Sequence, residues 1–355
     1  MPILDQVFKA AIKYKASDIH VVPDEPFMLR MQGNIVKLKN EPLTAETSIH
    51  AIEEILTPPE LKTLHASLQI DFAYEIKGLG RFRGSAMQHN RGLSAVFRVI
   101  PPEIPSLNDL GLPDIVEKIL ENHQGLVLVT GATGQGKSTT LAAMVDYLNT
   151  YRAHHILTIE DPIEFVHPLK KGVVNQRQLN KDTLSYRNAL KSALREDPDV
   201  IVIGELRDLE TISMAISAAE TGHLVIGTLA TSSGPKTIDR IIDAFPANQQ
   251  NQIRAMLSEA LRAVVTQRLI KSKQGRNMEL ATEVLIGTLP LVNLIKDGKT
   301  FQIHSMMQTG RGVGMQLMDD SIEVLLKEEK ISAQAAYDYA NDPRRFKSAM
   351  EKEAL

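Results

Sequence analysis

Cysteine and tryptophan are both absent from this chain of 355 residues. Without cysteine there are no disulfides and no thiolate zinc sites, which fits a reducing compartment. With aromatics at only 5%, few surfaces are available on which bases could stack. The formal net charge is −3, so no basic excess draws the chain to nucleic acid. No apolar run approaches the ~20 residues that span a bilayer. The opening segment, MPILDQVFKAAIKYKASD, is amphipathic and has no signal-peptide core. What remains is an ordinary globular composition, long enough for two domains with sizeable cores.

One stretch organises the rest. Residues 126–129 are an unbroken apolar run, as in a strand buried on both faces. Gly131, Ala132, Thr133, Gly134, Gln135, Gly136, Lys137 and Ser138 then satisfy G-x-x-x-x-G-K-[ST], followed by Thr139. Leu141, Met144, Val145 and Leu148 recur at helical spacing. Strand, glycine loop and helix stand in the order that a phosphate-binding loop requires. The glycines let successive N–H groups point at phosphate oxygens, and the helix adds the positive end of its dipole. Lys137 supplies a point charge for the β- and γ-phosphates, and Ser138 a ligand for Mg²⁺. The expected cofactors are therefore ATP and Mg²⁺.

Before this stretch the pattern is α+β. Leu4, Val7, Phe8, Ala11 and Ile12 mark a helix. Residues 17–22 read as a strand and 27–38 as a hairpin turning at Gly33-Asn34. Thr44 caps one helix, and Thr57-Pro58-Pro59-Glu60 opens another with a capping box. Strands follow over 70–76, 81–88 and 93–100. The prolines from Pro101 to Pro105 mark a connector reaching Pro113. After the phosphate loop, strands at 156–159, 200–203 and 224–229 alternate with helices at 183–194 and 209–220. That alternation predicts a mostly parallel sheet with helices on both faces. The tail is helical around 291–295, 321–326, 333–339 and 345–350.

Two strands end in acids. The run Asp197-Pro-Asp-Val-Ile-Val-Ile-Gly-Glu205 places a carboxylate where nucleotide hydrolases hold Mg²⁺, directly or through water. The run after Ile156 ends in Glu160, Asp161 and Glu164, any of which could orient the attacking water. Arg81 and Arg83 share a strand face, and Arg98 sits in the next strand. Such arginines usually make surface ion pairs; one reaching the nucleotide would stabilise phosphoryl charge. His223, at the head of a strand, reads on its own as a local hydrogen-bonding group.

Together, GATGQGKSTTLAAM, TIEDPIEFVH, DPDVIVIGELRDLET and AETGHLVIGTL resemble the four nucleotide-site blocks of the secretion-type ATPases, and within them the PilT/PilU retraction ATPases of type IV pili. The resemblance implies a PAS-like domain over 1–100, a linker over 101–113, a RecA-like ATPase core over 114–288 and a helical region over 289–355. It implies Glu164 as catalytic glutamate and Glu205 as Walker B acid. It likewise makes Arg83 and Arg98 the arginines brought to nucleotide, and His223 the first histidine of the His box. It further implies a homo-hexamer in the cytoplasm, bound to an inner-membrane pilus platform protein, with a possible paralogous retraction ATPase and no nucleic-acid partner. The chain as given begins almost at its first folded element and lacks cysteine, which favours the retraction branch over assembly ATPases. Ala132 and Gln135 replace a proline and a serine common in the loop, and Ala230 replaces the second His-box histidine. Pro290-Leu291 and Gly314-Met315-Gln316 lean towards the PilU type, an accessory to a main motor.

Overall fold

The computed structural model describes residues 2–353 other than Gln32, Pro102 and Arg276. It divides into two units, residues 1–104 with 162–166, and residues 105–161 with 167–355.

The first unit runs α1 (Ile3–Lys13), β1 (Asp18–Val21), β2 (Met28–Met31), β3 (Asn34–Lys37), α2 (Ala45–Glu53), α3 (Pro58–Ser67), β4 (Gln69–Ile76), β5 (Gly80–His89) and β6 (Gly92–Ile100). Its six strands form one antiparallel sheet in the order β3-β2-β1-β6-β5-β4. The caps act as the sequence predicts. The Thr44 hydroxyl accepts from the Thr47 N–H at 3.1 Å, and Glu60 accepts from the Thr57 N–H at 2.8 Å. Asn34 already pairs with Met31. Asn34 is thus part of β3 rather than of the expected Gly33-Asn34 turn, and Gln32 lies outside the described residues.

The core of this unit is aromatic. The Phe8 ring, on the buried face of α1, stacks on Phe82 at 4.2 Å and meets Phe97 edge-on at 5.0 Å. Phe72 meets Phe97 edge-on from β4. Gly84 makes this possible, since a Cβ there would stand 2.6 Å from the Phe72 ring. The hydroxyl of Tyr74 donates to buried Asp5 at 2.9 Å, and burial with that bond pushes its pKa up to about 12.

The second unit contains α4 (Ile115–Leu120), β7 (Gly125–Thr130), α5 (Lys137–Tyr151), β8 (His155–Glu160), β9 (Val173–Gln178), α6 (Tyr186–Ala193), β10 (Val200–Ile203), α7 (Leu209–Glu220) and β11 (Leu224–Leu229). It continues with α8 (Gly234–Asp243), α9 (Gln250–Ala260), β12 (Leu261–Lys271), β13 (Met278–Ile286), α10 (Leu289–Lys296), α11 (Ile303–Thr309), α12 (Met318–Lys327), α13 (Ala333–Tyr339) and α14 (Lys347–Glu353). The sheet order is β13-β12-β7-β11-β10-β8-β9, parallel except for the antiparallel edge strand β13. Side chains alternate between the two faces of each strand. Leu126, Leu128, Ile201 and Ile203 enter a core shared with α6 to α9. Val127, Val129, Val200 and Val202 enter the opposite core, beneath α4 and α5. Both faces are covered, so the strands read as continuous apolar runs rather than alternating ones. This is a RecA-like P-loop domain following a PAS-like α+β module, the α/β class anticipated from sequence.

Several expectations shift. From Pro105 onward the connector belongs to the second unit, with Leu107 and Leu112 buried against α4 and α5. The helix expected over 183–194 starts at Tyr186, capped by Ser185. Residues 343–345 form a 3₁₀ turn before α14. The tail is no appendage, because Ile322, Ile331, Ala336 and Phe346 pack on Ile270 and Ala281 of β12 and β13. Among the described residues, no helix is long and apolar enough to cross a membrane.

Phe8→Ala removes the ring that joins α1 to β5 and β6. It should lower stability by about 3–5 kcal/mol, read as a fall in the urea midpoint. A midpoint equal to wild type would show that the cluster does not hold the unit together.

Candidate nucleotide-binding site

The glycine loop follows β7 and closes onto α5. Gly131 has φ 146° and Gly136, the N-cap of α5, has φ 82°. Both lie in the region that side chains rarely adopt. A Cβ on Gly131 would also stand 2.7 Å from the Gln267 carbonyl oxygen. The first N–H groups of α5, at Lys137, Ser138 and Thr139, have no acceptor within the helix and form the positive end of its dipole. The Lys137 ammonium donates to the carbonyls of Gly131 (2.8 Å) and Ala132 (3.0 Å), spanning the loop. Burial lowers its pKa, and the charge of Glu205 opposes that shift. Lys137 and Glu205 are therefore electrostatic neighbours.

The loop is fastened to β12. The Gln135 side-chain oxygen accepts from the Leu269 N–H. Below it, the hydroxyls of Thr130 and Thr266 bond at 2.8 Å, and the Gln267 amide donates to the Thr140 hydroxyl at 2.7 Å. Gln135 thus holds the cradle in place, a role the motif does not reveal, because its fifth position is unconstrained.

Glu205 lies just beyond β10, and its backbone is bracketed on both sides. Gly204 N–H donates to the Ile159 carbonyl at 2.8 Å. The Thr228 hydroxyl donates to the Gly204 carbonyl at 2.5 Å, and the Thr228 carbonyl accepts from the Leu206 N–H at 2.9 Å. The Glu205 carboxylate pairs with Arg207 at 2.7 Å. Sequence reasoning passed over Arg207, although the i, i+2 spacing in Glu-Leu-Arg was a usable signal. It also passed over Tyr186, whose hydroxyl lies beside Gly204. The Tyr186 pKa is raised by burial, with the charges of Asp161, Glu205 and Glu160 adding to it. The ends of β8 and β10 thus gather their acids around one phenol.

The three acids at and beyond the end of β8 separate. Glu160 accepts from the Thr158 hydroxyl at 2.6 Å and the Gln176 amide at 3.0 Å. Asp161 acts on Tyr186 through its charge. Glu164 belongs to the first unit, where it pairs with Arg83 at 2.9 Å, while Arg81 donates to the Ile163 carbonyl at 3.0 Å. Arg98 stands directly opposite Arg83 in the sheet register. Its side chain is 65% exposed and pairs with Asp18 at 3.1 Å.

His223 is not brought to the phosphate loop of its own chain. It precedes β11, where Leu224 pairs with Gly125 and Leu229 with Thr130. That puts His223 a strand length from the loop, at ~3.3 Å per residue. Its ring bonds the Ala218 carbonyl at 3.0 Å, at the end of α7. Ala230 stands at the loop end of the same strand. Among the described residues, no three His, Asp or Glu side chains converge as a metal cluster. A Mg²⁺ bound to nucleotide phosphates needs only one or two protein ligands, and Ser138 and Glu205 have the right oxygen chemistry.

His167 is half-buried, with Nδ1 shielded and unpartnered among the described residues, and burial lowers its pKa from 6.5 to about 4. A base with a depressed folded pKa stays neutral in the native state while the unfolded chain takes up the proton. Its stabilising contribution is whole above about pH 6.5 and falls away as pH drops towards 4. His167→Leu should remove that dependence. The stability difference between the two proteins should change by up to about 1.4 kcal/mol per pH unit across this window in pH-dependent urea melts. A constant difference would overturn the assignment.

Comparison with known proteins agrees with this geometry. The family model for type II/IV secretion system protein matches residues 1–353. The type IV pilus retraction ATPase PilT of Pseudomonas aeruginosa is 47% identical over 344 residues, covering 97% of this chain and 99% of that protein. PilU of the same organism is 35% identical, covering 96% of this chain and 90% of that one. A crystal structure of the pilus retraction motor PilT with bound ADP superposes with a TM-score of 0.89 at 42% identity, covering 98% and 99% of the two chains. With its phosphate loop, its strand-end acids and its match along nearly the whole length, the chain belongs to the type II/IV secretion system protein family.

Proposed function

We propose that this chain is an ATPase motor that retracts type IV pili and so powers twitching motility. The observation that carries the reading is a complete phosphate loop, with Lys137 beside Glu205, in a chain that matches PilT from end to end. ATP supplies a phosphoanhydride bond whose cleavage does the work. The loop N–H groups and Lys137 hold the phosphates. Ser138 and Glu205 would hold Mg²⁺, Glu205 directly or through water. Glu164 takes the proton from water as its oxygen bonds the γ-phosphorus and the bond to the β–γ bridging oxygen breaks, leaving ADP and phosphate. Arg83 and Arg98 supply positive charge to the phosphoryl group, exchanging their present carboxylate partners for it.

The protein works as a homo-hexamer in the cytoplasm, docked on the inner-membrane platform protein of a pilus machine. Hydrolysis shifts rigid domains between discrete packings. Ala230 is the observation that favours a second reading, an accessory of the PilU kind with weak turnover of its own. The greater identity to PilT favours the first.

Glu164→Ala should retain ATP binding while its steady-state phosphate release falls about 10²–10⁴-fold. Lys137→Ala should lose binding as well. Fluorescent-nucleotide titration beside a phosphate-release assay separates the two effects. Unchanged turnover in Glu164→Ala would sink the assignment of that residue, and absent turnover in folded, ATP-binding wild type would favour the accessory reading.

A further inference from the structure

The segment that carries Glu164, residues 161–166, joins the end of β8 at Glu160 to His167; its residues 162–166 belong to the first unit and the chain is back in the second at His167. Both points of attachment are held by one side chain. Gln176, in β9, donates from its amide nitrogen to the Glu160 carboxylate at 3.0 Å. Its amide oxygen accepts from the His167 N–H at 2.9 Å. Gln176 lies opposite Thr158 in the parallel register, and the Thr158 hydroxyl bonds the same Glu160 oxygen at 2.6 Å. A primary amide suits this place, having a donor and an acceptor on one short planar group. Beyond His167 the chain is fixed independently, since the buried Asn149 amide donates to the Pro168 carbonyl at 2.8 Å.

We propose that Gln176 is a positioning residue for hydrolysis: it staples the two ends of the 161–166 loop and thereby sets where Glu164 stands. The inference rests on Glu164 being the residue that takes the proton from water. It assigns Glu160, on its hydrogen bonds, to the staple rather than to chemistry. A catalytic carboxylate displaced by about 1 Å can cost on the order of 10² in rate. Nucleotide binding, which draws on the phosphate loop, does not depend on the staple. Nor does the fold, because Gln176 is only half buried and β9 is an edge strand.

The test uses the full chain with Mg-ATP. Gln176→Leu removes both bonds, and should lower kcat about 10- to 100-fold with Kd for fluorescent nucleotide and thermal midpoint unchanged. Gln176→Glu places two carboxylates at hydrogen-bonding distance and should be as slow. The double variant Glu160→Gln with Gln176→Glu restores one donor facing one acceptor. The carboxylate at 176 then accepts from both the residue-160 amide and the His167 N–H, and most of kcat should return. A role in stability alone would move the thermal midpoint with kcat, and a chemical role for Glu160 would leave the double variant inactive; either result overturns the proposal. Wild-type kcat in Gln176→Leu overturns it as well. Glu164→Ala, run alongside, separates the failures. If that variant is inactive while Gln176→Leu is normal, only the staple falls; if it hydrolyses normally, the reading of Glu164 itself falls.

Discussion

A phosphate loop must satisfy two opposed demands: its N–H groups stay free for an anion, and its backbone stays in one conformation. Unpaired N–H groups give a loop no stiffness of their own, so rigidity has to come from elsewhere. Here it comes from β12. The loop oxygen of Gln135 meets the backbone of Leu269, Gly131 lies against the Gln267 carbonyl, and two buried side-chain hydrogen bonds tie β7 and α5 to the same strand. These contacts join elements far apart in sequence, and each sets a donor against an acceptor away from water. The rest of the site is arranged relative to this fixed cradle.

The acids are held by the same logic. Glu205 is placed by backbone bonds to β8 on one side and to Thr228 of β11 on the other, so its position follows from the sheet register rather than from its own rotamer. Arg207 neutralises it at 2.7 Å, and Lys137 feels its charge from across the loop. Two cations around one half-buried carboxylate leave a site whose charge balance changes when phosphates arrive. Lys137 then has an alternative to the Gly131 and Ala132 carbonyls it now spans.

What could be read in advance follows the physics of each element. The β7 strand, its glycine loop and α5 are local in sequence, and each obeys one rule, so they were legible. So were β10 and β11, whose double-sided burial makes them uniform apolar runs. The strand β9 was not, because it is a polar edge whose residues face neither core strongly. Nor was β12, since α9 ends at Ala260 and the strand begins at Leu261 with no turn residue between them. Missing β12 meant missing the partner of Gln135. His223, by resemblance the first histidine of the His box, lies at the end of the sheet away from the phosphate loop within its own chain, because β11 pairs in parallel with β7. A motif reports neighbours along the chain; which end of a strand they occupy is decided by pairing.

The same register bears on Ala230. Position 230 lies just past β11 at the loop end, where a histidine would add a polar group, and alanine removes it. The question is whether the acid machinery depends on that group. Glu205 is set by Thr228, two residues earlier, through the Thr228 hydroxyl and carbonyl. The loop is set by β12, and Glu160 by Thr158 and Gln176. None of these bonds involves position 230, so each of them is made with alanine there. The bonds that place Glu205, the loop and Glu160 therefore stand with alanine at position 230, and the motor reading proposed above turns on Glu164 rather than on that position.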